Sequence, residues 1–349
     1  MEKKFINDFK VNEQVDSFFM LRKKNLKLTK YDKSYLEISL ADKTGSIEGR
    51  LWDNADKFNE VAETGDVIRV VGTVDKFREE KQLKIDSMTK ADDRAFRYED
   101  MVRVAENRDG IYKNITSYLA DIKNPWISLL SKKFVGEEDL MDKFKGGLGG
   151  KSWHNAYIGG LMEHTYEVMY VVDKMCGLYP EADRDVSLFG AFIHDIGKVC
   201  ELDPKKQEYT IEGGLLGHIA IGYRMLSEKI CSIRDFPEDL RLRLEHIILS
   251  HHGEYEQQSP VLPKTLEATI VYQTDELVSQ ANAIKEIQNA QSEDGKVWSN
   301  FVFIKGRKYY IKEAHGEDWT KTDPGRDTDN SESKLNSDKS GSREDLFAA

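Results

Sequence analysis

Hydrophobic and polar positions in the first ninety residues follow the period of β-strands. Residues 35–40 alternate apolar and polar side chains, and turn signals such as Asp42-Lys43-Thr44-Gly45 and Thr64-Gly65-Asp66 separate the apolar runs. The strands predicted in this way are Phe18–Thr29, Ser34–Leu40, Ser46–Trp52, Asp66–Phe77 and Gln82–Asp86. A short helix is predicted over Asn54–Ala62, between the third and fourth strands.

Five strands with a helix between the third and fourth is the order of an OB-fold barrel, although strand patterns alone also permit other small barrels. The phrases DKTGSIEGRLWD and GDVIRVVGTVDKF resemble OB domains that bind single-stranded nucleic acid. Residues 1–90 are therefore predicted to form a nucleic-acid-binding OB domain.

The period changes from that of strands to that of helices after residue 110. Residues 91–110 are polar without clear periodicity and are predicted to be a linker, whereas Ile111, Ile115 and Leu119 fall on one helical face. Further helices are predicted at about 125–134, 156–176, 184–196, 215–231, 238–250 and 264–288. A small β-hairpin is predicted from Val199–Leu202 and Glu208–Ile211, and a second strand pair from Val297–Ile304 and Lys308–Ile311, with Gly306 in the turn.

The fold class expected from these patterns is multidomain α+β. An N-terminal five-stranded OB-fold barrel precedes an all-α domain, which spans residues 111–312 and contains a small β-hairpin. Residues 313–349 have almost no apolar content and are predicted to be an acidic, disordered tail.

Composition and charge are typical of a protein with at least one apolar core, and they do not exclude binding to phosphate groups. Hydrophobic residues make up 39% of the 349, and the formal net charge is −11. The first ninety residues are the least acidic part, and bound metal would add positive charge, so a phosphate-bearing substrate is not excluded. No apolar run approaches the roughly 18 residues of a membrane span, and the amino terminus shows no signal peptide. Three isolated cysteines favour a cytoplasmic protein with reduced thiols.

Histidine is concentrated in the helical part of the chain. The sequence has eight histidines, and seven lie between residues 154 and 252. A single histidine on a helix is more often a hydrogen-bonded residue than a ligand, and His154, His246 and His315 are open to that interpretation. Five of the histidines and two aspartates lie in otherwise apolar helical phrases. These candidate metal ligands are His164, His194, Asp195, His218, His251, His252 and Asp275.

Burial makes a shared cation the better explanation of this group. An unpartnered imidazole or carboxylate is costly in an apolar core, whereas a metal ion satisfies several such groups from different helices at once. The order H…HD…H…HH…D resembles the HD-domain phosphohydrolase superfamily in its two-metal form, from about Trp153 to Asp275.

The resemblance implies a division of these ligands between two divalent cations. His164, His194, Asp195 and Asp275 would hold the first, and Asp195 would bridge to a second held by His218, His251 and His252. Whether one or both of His251 and His252 bind stays open. Mixed imidazole and carboxylate ligands favour Mn²⁺ or Fe²⁺ over Mg²⁺, and Mn²⁺ is expected.

Two further residues are candidates for contact with the substrate phosphate. Lys198 follows Asp195 by one helical turn and could neutralise charge on phosphoryl oxygens, or it could be a solvated helix-end cation. His154, ten residues before His164, could contact phosphate or serve only a structural purpose. Asp195 and Lys198 are thus the candidate catalytic pair.

An OB barrel before an HD domain resembles the YhaM family of bacterial 3′-5′ exoribonucleases, across roughly residues 1–312. The phrases that carry this resemblance are GGLMEHTYEV, FIHDIGK, EYTIEGGLLGHI, ILSHHG and TDELVSQ. It implies an enzyme that trims single-stranded RNA from the 3′ end and releases nucleoside monophosphates, and it leaves single-stranded DNA open as a further substrate. OB grooves stack bases on aromatic rings and pair phosphates with Lys and Arg. The candidate contacts are Tyr35, Trp52, Phe77, Lys23, Lys24, Arg50, Arg69, Arg78 and Lys81.

Three other functions are compatible with parts of the pattern. A cyclic-dinucleotide phosphodiesterase would be expected to carry a GYP signature, but GEYEQQSP follows His251-His252. In a nucleotide phosphohydrolase, the barrel would have no evident function. A non-catalytic single-strand-binding factor would be expected to have lost some metal ligands. No membrane partner is expected, and self-association into a homo-oligomer is possible.

Overall fold

The amino-terminal part of the chain folds into a closed five-stranded barrel. The structure, a computed structural model, describes residues 3–77, 80–92, 94–151, 155–291, 297–302 and 305–311. The barrel strands are β1 (Gln14–Leu28), β2 (Ser34–Asp42), β3 (Gly45–Leu51), β4 (Val67–Phe77) and β5 (Glu80–Lys90), and the helix α1 (Ala55–Val61) connects β3 to β4.

Strand pairing closes the barrel in the order β1-β2-β3-β5-β4, with β4 returning to β1. All pairs are antiparallel except β3 with β5. Alternate side chains such as Leu36, Ile38 and Leu40 fill the interior, so the period-2 pattern in the sequence records the two faces of the wall. The predicted OB-fold barrel, with a helix between its third and fourth strands, is confirmed.

The fifth strand is longer than the predicted Gln82–Asp86. The register between β4 and β5 shifts at Val71/Gly72, and Asp86 and Ser87 are both exposed beside this irregularity. A bulge of this kind interrupts the apolar-polar alternation, which is why the pattern ends before the strand does.

Residues 91–110, predicted as a linker, carry more structure than their polar composition indicates. A 3₁₀ turn covers Tyr98–Asp100, and Met101 and Val102 are buried against the barrel residues Met20 and Val67. Val104 then forms a parallel bridge with Ile158 in the helical part. The segment therefore packs against both parts of the protein instead of spanning the space between them.

The remainder is helical apart from short strand pairs. Its helices are α2 (Arg108–Ala120), α3 (Pro125–Val135), α4 (Glu138–Gly146), α5 (Gly160–Leu178), α6 (Arg184–Ile193), α7 (Lys198–Glu201), α8 (Ile211–Cys231), α9 (Glu238–Ser250) and α10 (Leu266–Gln291). The sequence did not predict α4, because three apolar residues in nine give a weak periodic signal. The predicted hairpin exists but is shorter, formed by β6 (Leu202–Asp203) and β7 (Glu208–Tyr209). Val199 belongs to α7, so its predicted place in a strand is wrong.

Near the end of the described residues, the predicted strand pair is reduced to two bridges. Trp298 pairs with Tyr310 and Val302 with Arg307, and Gly306 occupies the turn with a φ of 62°. Part of the predicted strand, residues 303 and 304, and the predicted tail from residue 313 lie outside the described residues. None of the helices described is long and apolar enough to cross a membrane.

Helix α6 is the centre of the helical core. Asp183 caps it by accepting hydrogen bonds from the backbone N–H groups of Asp185 and Val186, and every residue from Val186 to Ile193 is buried. Around it pack α5, α9 and α10, with Phe189 and Phe192 in edge-to-face contact with Phe134. Because α6 is surrounded on all sides, the two polar residues that follow it, His194 and Asp195, lie in the middle of the domain.

Candidate metal centre and nucleic-acid interface

The structure brings all seven predicted metal ligands into one cluster. Helix α5 supplies one, the end of α6 two, α8 one, the residues after α9 two, and α10 one. In that order they are His164, His194, Asp195, His218, His251, His252 and Asp275. Five helices, α5, α6, α8, α9 and α10, therefore converge on a single point.

Asp195 lies at the centre, and its two carboxylate oxygens face different histidines. Oδ2 is 3.3 Å from His194 Nε2 and 3.7 Å from His164 Nε2. Oδ1 is 3.5 Å from both His218 Nε2 and His251 Nε2. One carboxylate thus separates two groups of imidazoles.

The two groups also satisfy the spacing of metal sites independently. Ligand atoms of His164, His194 and Asp195 lie within 4.8 Å of one another, as do those of His218, His251 and His252. On the first side Asp275 Oδ1 is 3.1 Å from His164 Nε2.

Unsatisfied buried atoms show that a cation fits this arrangement. Among the described residues, Asp195 Oδ1, His218 Nε2 and His251 Nε2 are buried without a hydrogen-bond partner, although they face one another. Such atoms are rare because each loses its interaction with water. A divalent cation accepts lone pairs from all three at once, so these donor atoms fit a metal ion that binds imidazole and carboxylate.

Hydrogen bonds on the far side of the rings fix the tautomer that metal binding requires. Four histidines donate their Nδ1–H to an oxygen, which leaves Nε2 as the atom with a free lone pair directed to the cluster. The donor-acceptor pairs are His194 to Ala191 O (2.7 Å), His251 to Ile248 O (2.8 Å), His252 to Gln257 O (2.8 Å) and His218 to Glu201 Oε1 (3.1 Å).

Glu201 is a positioning residue that the sequence analysis missed. Its Oε1 accepts hydrogen bonds from both the backbone N–H and the ring of His218. Burial raises the pKa of Glu201, but the bonds from His218 outweigh that effect and lower the pKa overall. The only sequence signal is an acidic residue in a short buried turn, KVCEL, and that signal does not specify a partner.

The backbone around His218 departs from the helix to place its ring. Gly217 has a φ of 72° and a ψ of 157°, which interrupts α8 directly before the histidine. That conformation is accessible to glycine at little cost and strained for other residues.

Electrostatics keep the carboxylates of the cluster ionised. Burial alone would raise the pKa of Asp195, but Lys198 and the histidines around it hold the pKa well below its usual value. Burial likewise raises the pKa of Asp275, and the hydrogen bond from His164 more than compensates. Burial lowers the pKa of His252 to about 4, so this imidazole is neutral near pH 7. Ionised carboxylates and neutral imidazoles are the forms that bind metal.

Lys198, the second predicted catalytic residue, contacts the cluster directly. Its Nζ donates to Asp195 Oδ2 at 2.6 Å and to Gly149 O at 2.7 Å. Two cavities, of about 510 and 610 Å³, open beside it, and His252 and Gln257 also line both. A ligand that enters either cavity has room to approach this cation next to the cluster.

The other histidines have different outcomes. His154 lies outside the described residues, as does His315. His246 Nε2 accepts a hydrogen bond from the Lys264 backbone N–H at 2.9 Å, and it is not part of the cluster. This hydrogen bond agrees with the interpretation of His246 as a hydrogen-bonded residue that is not a metal ligand.

On the barrel, four of the predicted nucleic-acid contacts form one surface, which we call the β2–β3 face. Tyr35 and Trp52 stack with ring centroids 4.7 Å apart, and the Arg50 guanidinium lies 5.2 Å from the centre of the Phe77 ring. Trp52 is 38% exposed and Phe77 is 45% exposed, so both rings can meet a ligand. The outer side of strands β2 and β3 is the region that OB folds use for oligonucleotides.

Other predicted contacts do not join this group. Arg69 forms two hydrogen bonds with Asp16, at 2.7 and 2.6 Å, on the β1–β4 side of the barrel. Lys24 donates to the backbone oxygens of Asn59 and Ala62 and so is used to hold the end of α1. Lys23 is exposed on β1, Lys81 is exposed next to Phe77, and Arg78 lies outside the described residues.

Two residues near the β2–β3 face were not selected from the sequence. Lys84 is exposed and lies beside Arg50 in the parallel β3–β5 pair, and Tyr31 is 80% exposed in the turn between β1 and β2. Parallel pairing of β3 with β5 cannot be deduced from local alternation, so the neighbourhood of Arg50 and Lys84 was not predictable.

Comparisons with known proteins match both parts of the chain. A family model described as HD domain matches residues 161–279, and one described as OB-fold nucleic acid binding domain matches residues 20–91. A protein named 3′-5′ exoribonuclease YhaM from Bacillus velezensis is 32% identical over 314 residues, 87% of this chain and 97% of that protein. The protein of the same name from Geobacillus sp. is 30% identical and covers 88% and 94%, and that from Bacillus subtilis is 29% identical and covers 87% and 97%.

A solved structure also aligns with a smaller part of the chain. A domain of replication protein A from Methanococcus maripaludis covers 26% of this chain at 21% identity, with a TM-score of 0.23. That TM-score is too low to bear on the fold.

Gly197 offers a test of how closely the cluster depends on helix packing. A Cβ at Gly197 would lie 2.0 Å from the His218 carbonyl oxygen and 2.7 Å from Gly222 N. We expect Gly197→Ala to push α8 away from Asp195, to weaken Mn²⁺ binding, and to lower the free energy of unfolding by about 1–3 kcal/mol. Calorimetric titration with Mn²⁺ and urea denaturation measure the two effects.

The matched control is Gly222→Ala, on the other side of the same contact. A Cβ there would meet Gly197 N at 3.4 Å, an ordinary contact, and alanine is favoured over glycine inside a helix. If Gly197→Ala bound Mn²⁺ as tightly as Gly222→Ala does, close packing of α8 would not be what positions His218.

Proposed function

Because this chain belongs to the YhaM family of 3′-5′ exoribonucleases, we propose that it hydrolyses single-stranded RNA from the 3′ end and releases nucleoside monophosphates. The observation that carries the proposal is the pair of imidazole groups on the two oxygens of one buried carboxylate, Asp195. Single-stranded DNA, with the same phosphodiester backbone, is a second substrate to test.

We infer that the cluster holds two divalent cations. Two oxygens of Asp195 point to two sets of Nε2 atoms, so a single ion would leave one set unsatisfied. His252 belongs to the second set, since its Nδ1–H is given to Gln257 O and its ring lies 5.0 Å from that of His218. Five imidazoles among seven ligands favour Mn²⁺ or Fe²⁺ over Mg²⁺, and Mn²⁺ is the ion that we propose.

The proposed chemistry is phosphodiester hydrolysis by in-line displacement. Divalent cations in such a centre supply Lewis acidity and a water-derived nucleophile near neutral pH. Within the chain, Asp195 would be the anionic ligand shared by both cations, and Ala191 O and Ile248 O orient the rings of His194 and His251. Lys198 places a cation at the edge of both cavities, where it would hold a phosphoryl oxygen as charge develops.

We assign to the barrel the task of holding the strand. Tyr35, Trp52 and Phe77 provide ring faces for bases, and Arg50 and Lys84 provide cations for phosphates. None of these contacts depends on base identity, because every base has a ring face and every nucleotide a phosphate.

End-labelled RNA tests the proposed direction of hydrolysis. With Mn²⁺ present, the full-length protein should shorten a 5′-labelled oligoribonucleotide into a ladder and release the label of a 3′-labelled one as a mononucleotide at once. EDTA should stop both. His194→Ala should lower the rate by more than the roughly 100-fold seen when an outer-shell partner of a metal is lost.

His246→Ala is the matched control, because it removes an imidazole from α9 that is outside the cluster. It should retain near-wild-type hydrolysis. Cleavage that begins inside the chain, or that continues in EDTA, would be incompatible with a metal-dependent 3′-5′ exonuclease.

Trp52 tests the role of the β2–β3 face. We expect Trp52→Ala to weaken binding of a fluorescein-labelled 20-nucleotide RNA by about 1–3 kcal/mol, since one stacked base is lost. Fluorescence anisotropy in EDTA measures the affinity without hydrolysis. Trp298→Ala is the control: Trp298 is 55% exposed and packs edge-on against Tyr310, in the segment that follows α10. Equal affinities of the two variants would remove the β2–β3 face from the binding surface.

A further inference from the structure

A cavity of about 500 Å³ lies at the junction of the barrel and the helical domain. Its barrel side consists of β1, β2 and the turn to β3, and its other side consists of the β6–β7 turn, residue 103, Lys151 and part of α10. Cations outnumber anions around it. The cations are Arg22, Lys43, Arg103, Lys151 and Lys206, and the anions are Asp42, Glu208 and Glu286.

Each anion of this junction cavity is already neutralised or hydrogen-bonded. Glu286 pairs with Arg103 at 3.0 Å, and Glu208 pairs with Lys151 at 2.5 Å. Asp42 accepts backbone N–H groups from Ile6 and Thr44, both at 2.8 Å. The protein's own acidic groups therefore do not occupy Arg22.

Arg22 is a partly buried cation without an ion pair among the described residues. It sits where the register between β1 and β2 shifts, at Leu21/Lys23, and a bulge of this kind redirects the side chain it carries. Its Nη1 is buried and has no hydrogen-bond partner there. Burial lowers the pKa of Arg22 to about 10, which leaves the guanidinium charged near pH 7. A charged, partly desolvated donor in a cavity is suited to an anion.

One end of the junction cavity continues the β2–β3 face. Tyr35, Glu37 and Ser39 alternate with the buried residues of β2 and share its outer side, and Ser39 lines the cavity. The six residue steps from Tyr35 to Ala41 cover about 20 Å at roughly 3.3 Å per residue. Ser46, opposite Ala41 on β3, reaches the cavity from the neighbouring strand. An extended strand stacked on Trp52 can follow this surface into the cavity.

The other end opens toward the metal centre through Lys151. This residue lines the junction cavity and also the 610 Å³ cavity that contains Lys198, His218 and His252. Arg22 therefore lies between the aromatic rings of the barrel and the candidate metal ligands, on a route bordered by cations.

We propose that Arg22 binds a backbone phosphate of the single strand in the junction cavity, several nucleotides before the 3′ end that occupies the metal centre. The inference rests on the proposed exoribonuclease function and adds to it a specific site between the two domains. Arg22 is bidentate toward phosphate oxygens, which a lysine cannot be, and it contacts no base. It makes the enzyme favour substrates long enough to reach the barrel.

The test compares substrate lengths in the full-length protein with Mn²⁺. Arg22→Gln should lower kcat/KM for a 20-nucleotide RNA by about tenfold or more, as expected when one charge-assisted hydrogen bond is lost. The loss should be much smaller for the dinucleotide ApA, which is too short to span from the metal centre to Arg22. Arg234→Gln, which removes an arginine that is 94% exposed outside these cavities, should affect neither substrate.

Binding of the same RNA in EDTA provides the second readout. Affinity for a single strand falls with salt by about 0.7 log units per log unit of salt for each phosphate contact, so Arg22→Gln should make the slope shallower by about 0.7. A purely structural role of Arg22 would change thermal stability and leave this slope unaltered. If Arg22→Gln does not fold, Lys206→Gln, on the opposite side of the cavity, decides by the same comparison of lengths.

Equal losses on ApA and the 20-nucleotide RNA, or no loss on either, would overturn the proposal for Arg22. A wild-type protein that binds RNA in EDTA but does not shorten it from the 3′ end would instead overturn the proposed function. In that case the salt slopes of wild type and Arg22→Gln still show whether Arg22 contacts a phosphate.

Discussion

The carboxylate of Asp195 is buried at the end of a helix that is itself surrounded by other helices, and it has to be compensated there. Lys198 lies on one oxygen, at 2.6 Å, and four histidine Nε2 atoms approach the two oxygens at 3.3–3.7 Å. A charge at this depth is tolerated only when partners surround it, because desolvation disfavours the ionised form. The arrangement of α5, α6, α8 and α9 follows from that requirement, since each helix delivers one of these partners.

The packing around Asp195 explains details that would otherwise be unrelated. Gly197 allows the start of α7 to approach the backbone of α8 closely, and Gly217 interrupts α8 so that His218 turns inward. Glu201 then holds the His218 ring from behind. Together these three residues bring the His218 imidazole to Oδ1 of Asp195. His251 also approaches Oδ1, and His164 and His194 approach Oδ2.

The sequence was informative where local periodicity or residue type is sufficient. It was uninformative where contacts between distant segments determine the role of a residue. Alternating residues predicted the barrel strands, and polar side chains in apolar helices predicted the seven residues that the structure brings into one cluster. Glu201 and Arg22 were missed because each acquires its role from a residue or cavity formed by distant segments. Arg69 and Lys24 were selected as cations near the barrel, but Asp16 and the carbonyl groups at the end of α1 already engage them. Side-chain partners of this kind depend on strand register, which composition does not reveal.

The barrel and the helical domain are connected through more than a flexible segment. Met101 and Val102 are buried on the barrel, Val104 pairs with Ile158, and Arg103 pairs with Glu286 of α10. Contacts of this kind hold the β2–β3 face at a defined position relative to the cluster. Under the proposed function, a single strand that leaves the aromatic rings would then reach the cluster through the junction cavity.

We propose that Asp195 is shared between two cations, and anomalous diffraction from crystals of the protein grown with Mn²⁺ tests this most directly. Our account predicts two manganese peaks, one beside Asp195 Oδ2 with His164, His194 and Asp275, and one beside Oδ1 with His218, His251 and His252. A single peak, or two peaks of which one does not contact Asp195, would contradict it.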